Sequence, residues 1–212
     1  MKRETLRETG IVFANGLLWR SPVLTAALGL YPAAVCGSLS QSVPLSVLLV
    51  AQSLLAGLLF CAFGAALPDW LRPGAALALS ALCWTPAALL TERLFPGSAA
   101  LPGAVLVLQI ANSMVLSRLN EYAPTHIFPA VAADVLGCTL GSGLLLCAQA
   151  ALRAVVRGAD VWTGEGGGSG WLGGAPALPF FGFLILGFLA AAVQAHNLRR
   201  ARHAGKRRVT RL

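Results

Sequence analysis

The sequence predicts an all-α polytopic membrane protein: six transmembrane helices forming two inverted three-helix repeats, with the first and fourth helices interrupted. Three observations predict it. Residues 22–198 are almost continuously apolar, broken only by short polar segments. Hydrophobic residues make up 57% of the chain and charged residues only 11%, whereas a soluble domain carries roughly 25% charged residues. Basic residues crowd both ends and leave the middle sparse. With a mean hydropathy of +0.73, the chain lacks the polar residues that a water-facing surface needs.

A helix crossing the hydrocarbon takes about 20 mostly apolar residues, and six windows qualify. The first covers residues 22–38, with an apolar approach from Ile11 to Trp19. The second covers 43–67 and ends at Pro68-Asp69; the third covers 71–90 and ends at Thr91-Glu92-Arg93. The fourth covers 101–116 and ends at Arg118, the fifth 127–152, and the sixth 177–195. The runs are long and do not alternate, which indicates helices rather than a barrel.

Charge gives the orientation. Six spans put both termini on one side, and that side collects 13 of the 16 Lys and Arg, including the cluster from Arg199 to Arg211. Only Arg93, Arg153 and Arg157 face the other way. The positive-inside rule therefore places both termini in the cytoplasm of a bacterial cytoplasmic (inner) membrane protein. Trp19, Trp70 and Tyr122 fall at span ends, as interfacial aromatics do. The net charge of +8 lies in juxtamembrane segments, where it meets anionic lipid headgroups of the bilayer; no nucleic-acid partner is expected. No small-residue cleavage site follows the basic N-terminus, so no removable signal peptide is expected.

The resulting plan is a cytoplasmic segment 1–21, a membrane domain 22–198 and a basic cytoplasmic tail 199–212. A Gly-rich extracytoplasmic loop at about 157–176 reads as flexible linker. No Lys-Ser/Thr follows its glycines, which excludes a phosphate loop.

Each set of three spans opens on a weakened helix. Gly29 and Pro32, flanking Tyr31, interrupt the first; Pro32 removes a backbone donor. Gln109, Asn112 and Ser113 interrupt the fourth with polar groups where lipid penalises them. An odd number of spans per set makes the two repeats opposite in topology, a plan in which broken helices meet near the midplane and build the working site.

These breaks carry a resemblance. Trp19-Arg20-Ser21-Pro22-Val23-Leu24 with Leu28-Gly29-Leu30-Tyr31-Pro32 resembles the opening of the RnfE/NqrD-like subunits of the Rnf/Nqr electron-transport complexes. Residues 110–118 resemble that family's fourth span, Ala133-Asp134-Val135-Leu136-Gly137 through Gly141 its fifth, and Pro179-Phe180-Phe181-Gly182 with the basic tail its last. The resemblance implies a membrane subunit of an ion-translocating redox complex, paired with a second six-span subunit among other complex subunits. It also implies a [2Fe-2S] cluster shared with that partner through two cysteines from each chain. Tyr31 and Ser113 occupy the two cysteine positions. Oxygen replaces thiolate poorly as a ligand for such a cluster, so no cofactor is expected on this chain alone.

None of Cys36, Cys61, Cys83, Cys138 and Cys147 forms a C-x-x-C pair. Cys36 lies roughly 140° round a helix from Tyr31. All five read as small packing residues. His126, His196 and His203 show no metal spacing, and no nucleophile–base constellation marks a catalytic residue. Asp134 is the one acid well inside a span and is a candidate ion or proton site, or else a buried helix contact. Gly137 and Gly141 share its face in a GxxxG pattern that admits another helix at close range. Gln52, Gln149 and Gln194 suit interhelical hydrogen bonding, and Pro86 suits a kink. The alternatives to a complex subunit are a small stand-alone secondary transporter and a structural membrane partner without a site of its own.

Overall fold

In the computed structural model, residues 10, 12–14, 16–17, 29, 36–98, 107–166 and 178–209 are described, and among them the chain is helical with no strand. The long helices are α1 (Leu39–Phe63), α2 (Arg72–Leu94), α4 (Phe128–Arg157) and α5 (Pro179–Val209); α3 is a short piece, Ser113–Ser117. Three helices are long and apolar enough to cross a membrane: Leu39–Ala66, which adds a 3-10 turn to α1, then Arg72–Leu94 and Phe128–Arg157. α5 contributes a shorter apolar stretch, Phe180–His196. The first expected span lies almost wholly outside the described residues, as does the first part of the fourth.

α1 is the hub, packed mainly on α4 and α2. Small residues set the closest approaches. A Cβ on Gly57 would meet Val135 Cγ2 at 3.1 Å, and one on Gly143 would meet Ser46 Cβ at 3.0 Å. Without an aqueous hydrophobic effect between helices, such close backbone approach is what membrane association rests on. Leu49, Ala56, Phe60, Leu79, Cys83, Met114, Leu119, Val131 and Val135 form the larger core cluster. Cys36, Leu45, Leu48, Ala87, Leu146 and Ala150 form a second, toward the N-terminal end of α1. On α2, Leu82, Leu89, Leu90 and Leu94 are exposed, as lipid-facing residues are.

Several helices run past the expected span ends. The fifth span was expected to stop at Leu152, but α4 runs on to Arg157. Arg153 stays buried at 3% exposure because its guanidinium is occupied: Nη1 donates to Cys36 O at 3.3 Å and Nη2 to Leu178 O at 3.1 Å. One side chain thus pins the backbone at Cys36 and at Leu178, just before α5, to α4. The sixth span, expected over 177–195, coincides with the apolar stretch Phe180–His196, and helix α5 continues beyond it through the basic residues to Val209.

Of the Gly-rich loop expected at about 157–176, residues 157–166 are described, and 167–176 lie outside the described residues. Gly158, at φ 67°, ends α4 with hydrogen bonds from Gly158 N to Val155 O and from Ala159 N to Ala154 O, the Schellman pattern. Asp160 Oδ2 then accepts from Thr163 N at 2.8 Å, Thr163 Oγ1 at 3.0 Å and Trp162 N at 3.1 Å. The turn delivers the carbonyls of Val161 and Trp162 to Leu39 N and Ser40 N, each at 3.0 Å. These are otherwise unpartnered donors of the first turn of α1. The loop segment is a helix cap.

A pH dependence follows. Hydrogen bonds from the Thr163 backbone first, then its hydroxyl, hold the Asp160 carboxyl below its usual range. A depressed folded value means the stabilisation is present above the unfolded value, about 3.9, and is lost as pH falls through the folded value. Amide protection at Trp162 and Thr163, corrected for intrinsic exchange, should hold from neutral pH to about 4 and collapse below it. Asp160→Asn should lose that acid step.

Candidate functional site

The segment where an interrupted fourth span was expected supplies the first cluster. Residues 109–111 turn, and helix resumes at Ser113 behind Asn112, whose Oδ1 accepts from Met114 N at 3.0 Å as an N-cap. A turn at this point strips carbonyls of helical donors, and a hydrocarbon surrounding offers no water to replace them. Neighbouring side chains supply donors instead. Ser80 Oγ donates to Ile110 O at 2.8 Å. Gln52 Nε2 lies 2.8 Å from Ser80 Oγ, 3.3 Å from Ser80 O and 3.4 Å from Gln109 O. Gln52, Ser80, Gln109 and Asn112 are all at most 1% exposed.

Gly29 brings the other break to this place. Its N–H donates to Ser113 Oγ at 2.9 Å. Its φ is 69°, and a Cβ there would meet Asn112 Oδ1 at 2.8 Å; both the left-handed backbone and the contact call for glycine. Tyr31 and Pro32 lie outside the described residues. Ser113 is exposed, and its neighbours Leu108 and Ala111 are exposed as well, so the break opens on the protein surface.

The donor set here does not fit an iron–sulfur cluster. At Ser113, where the resemblance puts a cysteine, the atom is an alcohol oxygen, far less acidic than a thiol, and it already accepts a hydrogen bond from Gly29. Among the described residues no group of three or more His, Cys, Asp or Glu could hold a metal ion.

Asp134 builds the second cluster. It is 6% exposed and lies 3.6 Å, Oδ2 to Nη1, from Arg118. That is ion-pair range but too long for a hydrogen bond, and Oδ2 is without a hydrogen-bond partner among the described residues. Oδ1 takes a 3.8 Å contact from Cys138 Sγ, one helical turn on. Arg118 reaches Asp134 because residues Arg118–Tyr122 wind as a π-helix directly after α3; such wide turns recur at functional positions. The Tyr122 and His126 rings stack at 3.8 Å, and His126 Nδ1 sits 2.8 Å from Thr125 Oγ1. The partner of this buried carboxylate is a guanidinium.

Gly137 and Gly141, on the same helix, receive the N-terminal segment. A Cβ on Gly137 would meet Phe13 O at 2.6 Å, one on Gly141 would overlap Leu17 O, and Gly16 in turn sits against Cys138. Segment 1–21 thus includes residues packed on α4.

Sequence reasoning passed over Ser80 and the Arg118 partnership. Ser80 had a weak signal, a lone hydroxyl in the apolar run of α2. Arg118 had none, since no helical spacing links it to residue 134. Gln52→Leu removes the donor that serves both Ser80 and Gln109 O. It should destabilise the protein by about 1–2 kcal/mol, the scale of a membrane-interior hydrogen bond, read as a lowered Tm in detergent.

A family model described as "Rnf-Nqr subunit, membrane protein" matches residues 10–194. No curated protein matches the chain.

Proposed function

Because the chain belongs to the Rnf-Nqr family of membrane subunits, and is therefore a membrane-embedded subunit of a multi-subunit complex, we propose that it serves such a complex without ligating iron. What supports this reading is the oxygen of Ser113, the residue that the resemblance sets at a family cysteine position, which accepts from Gly29 N–H at 2.9 Å. The hydroxyl ties one break to the other, so the substituted residue holds the two interrupted segments together. The remaining features of the reading are six spans in two inverted repeats, both termini in the cytoplasm of a bacterial inner membrane, and a second six-span subunit docked over the exposed break. Asp134, ion-paired inside the bundle, is the residue of this chain best suited to ion handling.

The test is elemental. In the complex purified from its native membrane, Ser113→Ala should leave iron and acid-labile sulfide per complex unchanged. Loss of either on this substitution would overturn the reading. A chain that purifies with no six-span partner, yet moves solute across liposomes, would establish the stand-alone carrier instead.

A further inference from the structure

Two buried polar atoms near the acid cluster have no hydrogen-bond partner among the described residues and belong to residues of one cavity. Ser53 Oγ and Arg118 Nε are both unpartnered, and both residues line one cavity of about 10 Å³. Met114, Val115, Leu119, Val135, Cys138 and Thr139 complete its wall. Ser53 is only 3% exposed, so its hydroxyl has no bulk solvent to turn to. Leaving a buried donor or acceptor unmade costs about 1–3 kcal/mol. Two such atoms on residues that line one cavity therefore call for an occupant that can both accept and donate.

We propose that this cavity is an internal water site. The space suits a single water, which needs roughly 10–15 Å³ and two to four polar partners. Arg118 Nε–H donates to it and Ser53 Oγ hydrogen-bonds with it. Thr139 Oγ1, which donates to Val135 O at 2.7 Å, keeps lone pairs free to accept from it. The cavity lies between the two clusters: Met114 is the residue whose N–H Asn112 caps, and Cys138 is the residue whose thiol contacts Asp134. The bound water therefore sets a hydrogen-bonding group between the acid and the restarting helix, where apolar walls alone would insulate one from the other. An empty cavity of this size would leave the guanidinium tethered only through its Nη1 ion pair.

Radiolytic hydroxyl labelling of the complete protein tests this, because radicals formed from bound water oxidise adjacent buried side chains. Cys138 and Cys83 are matched, at 1% and 3% exposure, but only Cys138 lines the cavity. Cys138 and Met114 should label faster than Cys83. Ser53→Val, which fills the space with a methyl group, should bring Cys138 down to the Cys83 rate. Equal rates for Cys138 and Cys83 in the unsubstituted protein, or Cys138 labelling unmoved by Ser53→Val, would overturn the proposal. Stability gives an independent sign. Ser53→Ala should lower Tm, because Arg118 loses the bridged partner. If the cavity were dry, the same change would delete an unpartnered hydroxyl and leave Tm equal or higher.

Discussion

Gly141→Ala is expected to be among the most damaging single-methyl additions this protein can receive. A Cβ at residue 141 overlaps the Leu17 carbonyl and sits 3.0 Å from Gly16 O. Both obstacles are backbone atoms, which cannot swing aside as a side-chain tip would. The N-terminal segment must shift off α4 or the helix must move, and overpacking of this kind costs about 1–3 kcal/mol, here the upper end. Gly187→Ala is the control. Gly187 lies in α5 with nothing within 4 Å of its would-be Cβ, so alanine gains up to about 1 kcal/mol of helix propensity there. Two chemically identical substitutions should move Tm in opposite directions. Equal effects would mean that Gly16 and Leu17 are not seated on α4.

That contrast also marks what the sequence could and could not say. The GxxxG spacing of Gly137 and Gly141 announces a close approach, since small residues one turn apart on an apolar helix have few other uses. It does not name the approaching segment, because the partner carries no complementary pattern; Phe13 and Leu17 meet α4 through backbone atoms common to every residue. α1, α2 and α4 were legible because hydrocarbon thickness fixes both their length and their composition. Their ends were less so. The run of α4 to Arg157 depends on carbonyls of Cys36 and Leu178 arriving from distant parts of the chain to occupy Arg153. The Gly-rich loop looked featureless because glycine composition predicts freedom; Asp160 and Thr163 impose a turn that only geometry reveals.

The candidate site divides in the same way. Gln109, Asn112 and Ser113 stand out as polar residues inside an apolar run, which local composition detects. Their partners are ordinary taken singly: Ser80 and Gln52 acquire their role from the carbonyls that a turn at 109–111 leaves open. Asp134 was conspicuous for the cost of burying a carboxylate. Its guanidinium partner, sixteen positions earlier, comes within reach through a π-helical turn that no residue type specifies.

The Arg118–Asp134 pair carries the other large expected effect, and its two halves are unequal. The Asp134 side chain is 9% exposed and that of Arg118 29%. Removing one member of a buried pair costs about 3–5 kcal/mol when the remaining charge is stranded. Arg118→Ala strands the carboxylate, which among the described residues keeps the Cys138 thiol contact and little exposure of its own; the full penalty is expected. Asp134→Asn strands the guanidinium, which is more exposed and can turn part of its charge outward, so the loss should be distinctly smaller. Arg118→Leu with Asp134→Leu together should recover much of the deficit, because no uncompensated charge is left. Melting temperatures of the four proteins in one detergent form the double-mutant cycle that reads this order. Asp134→Asn as damaging as Arg118→Ala would show that burial does not set the asymmetry. In the assembled complex the milder variant becomes the informative one: Asp134→Asn keeps the fold while removing the intramembrane charge. If that charge handles the ion, translocation falls with the complex intact; if it serves packing alone, translocation is unchanged.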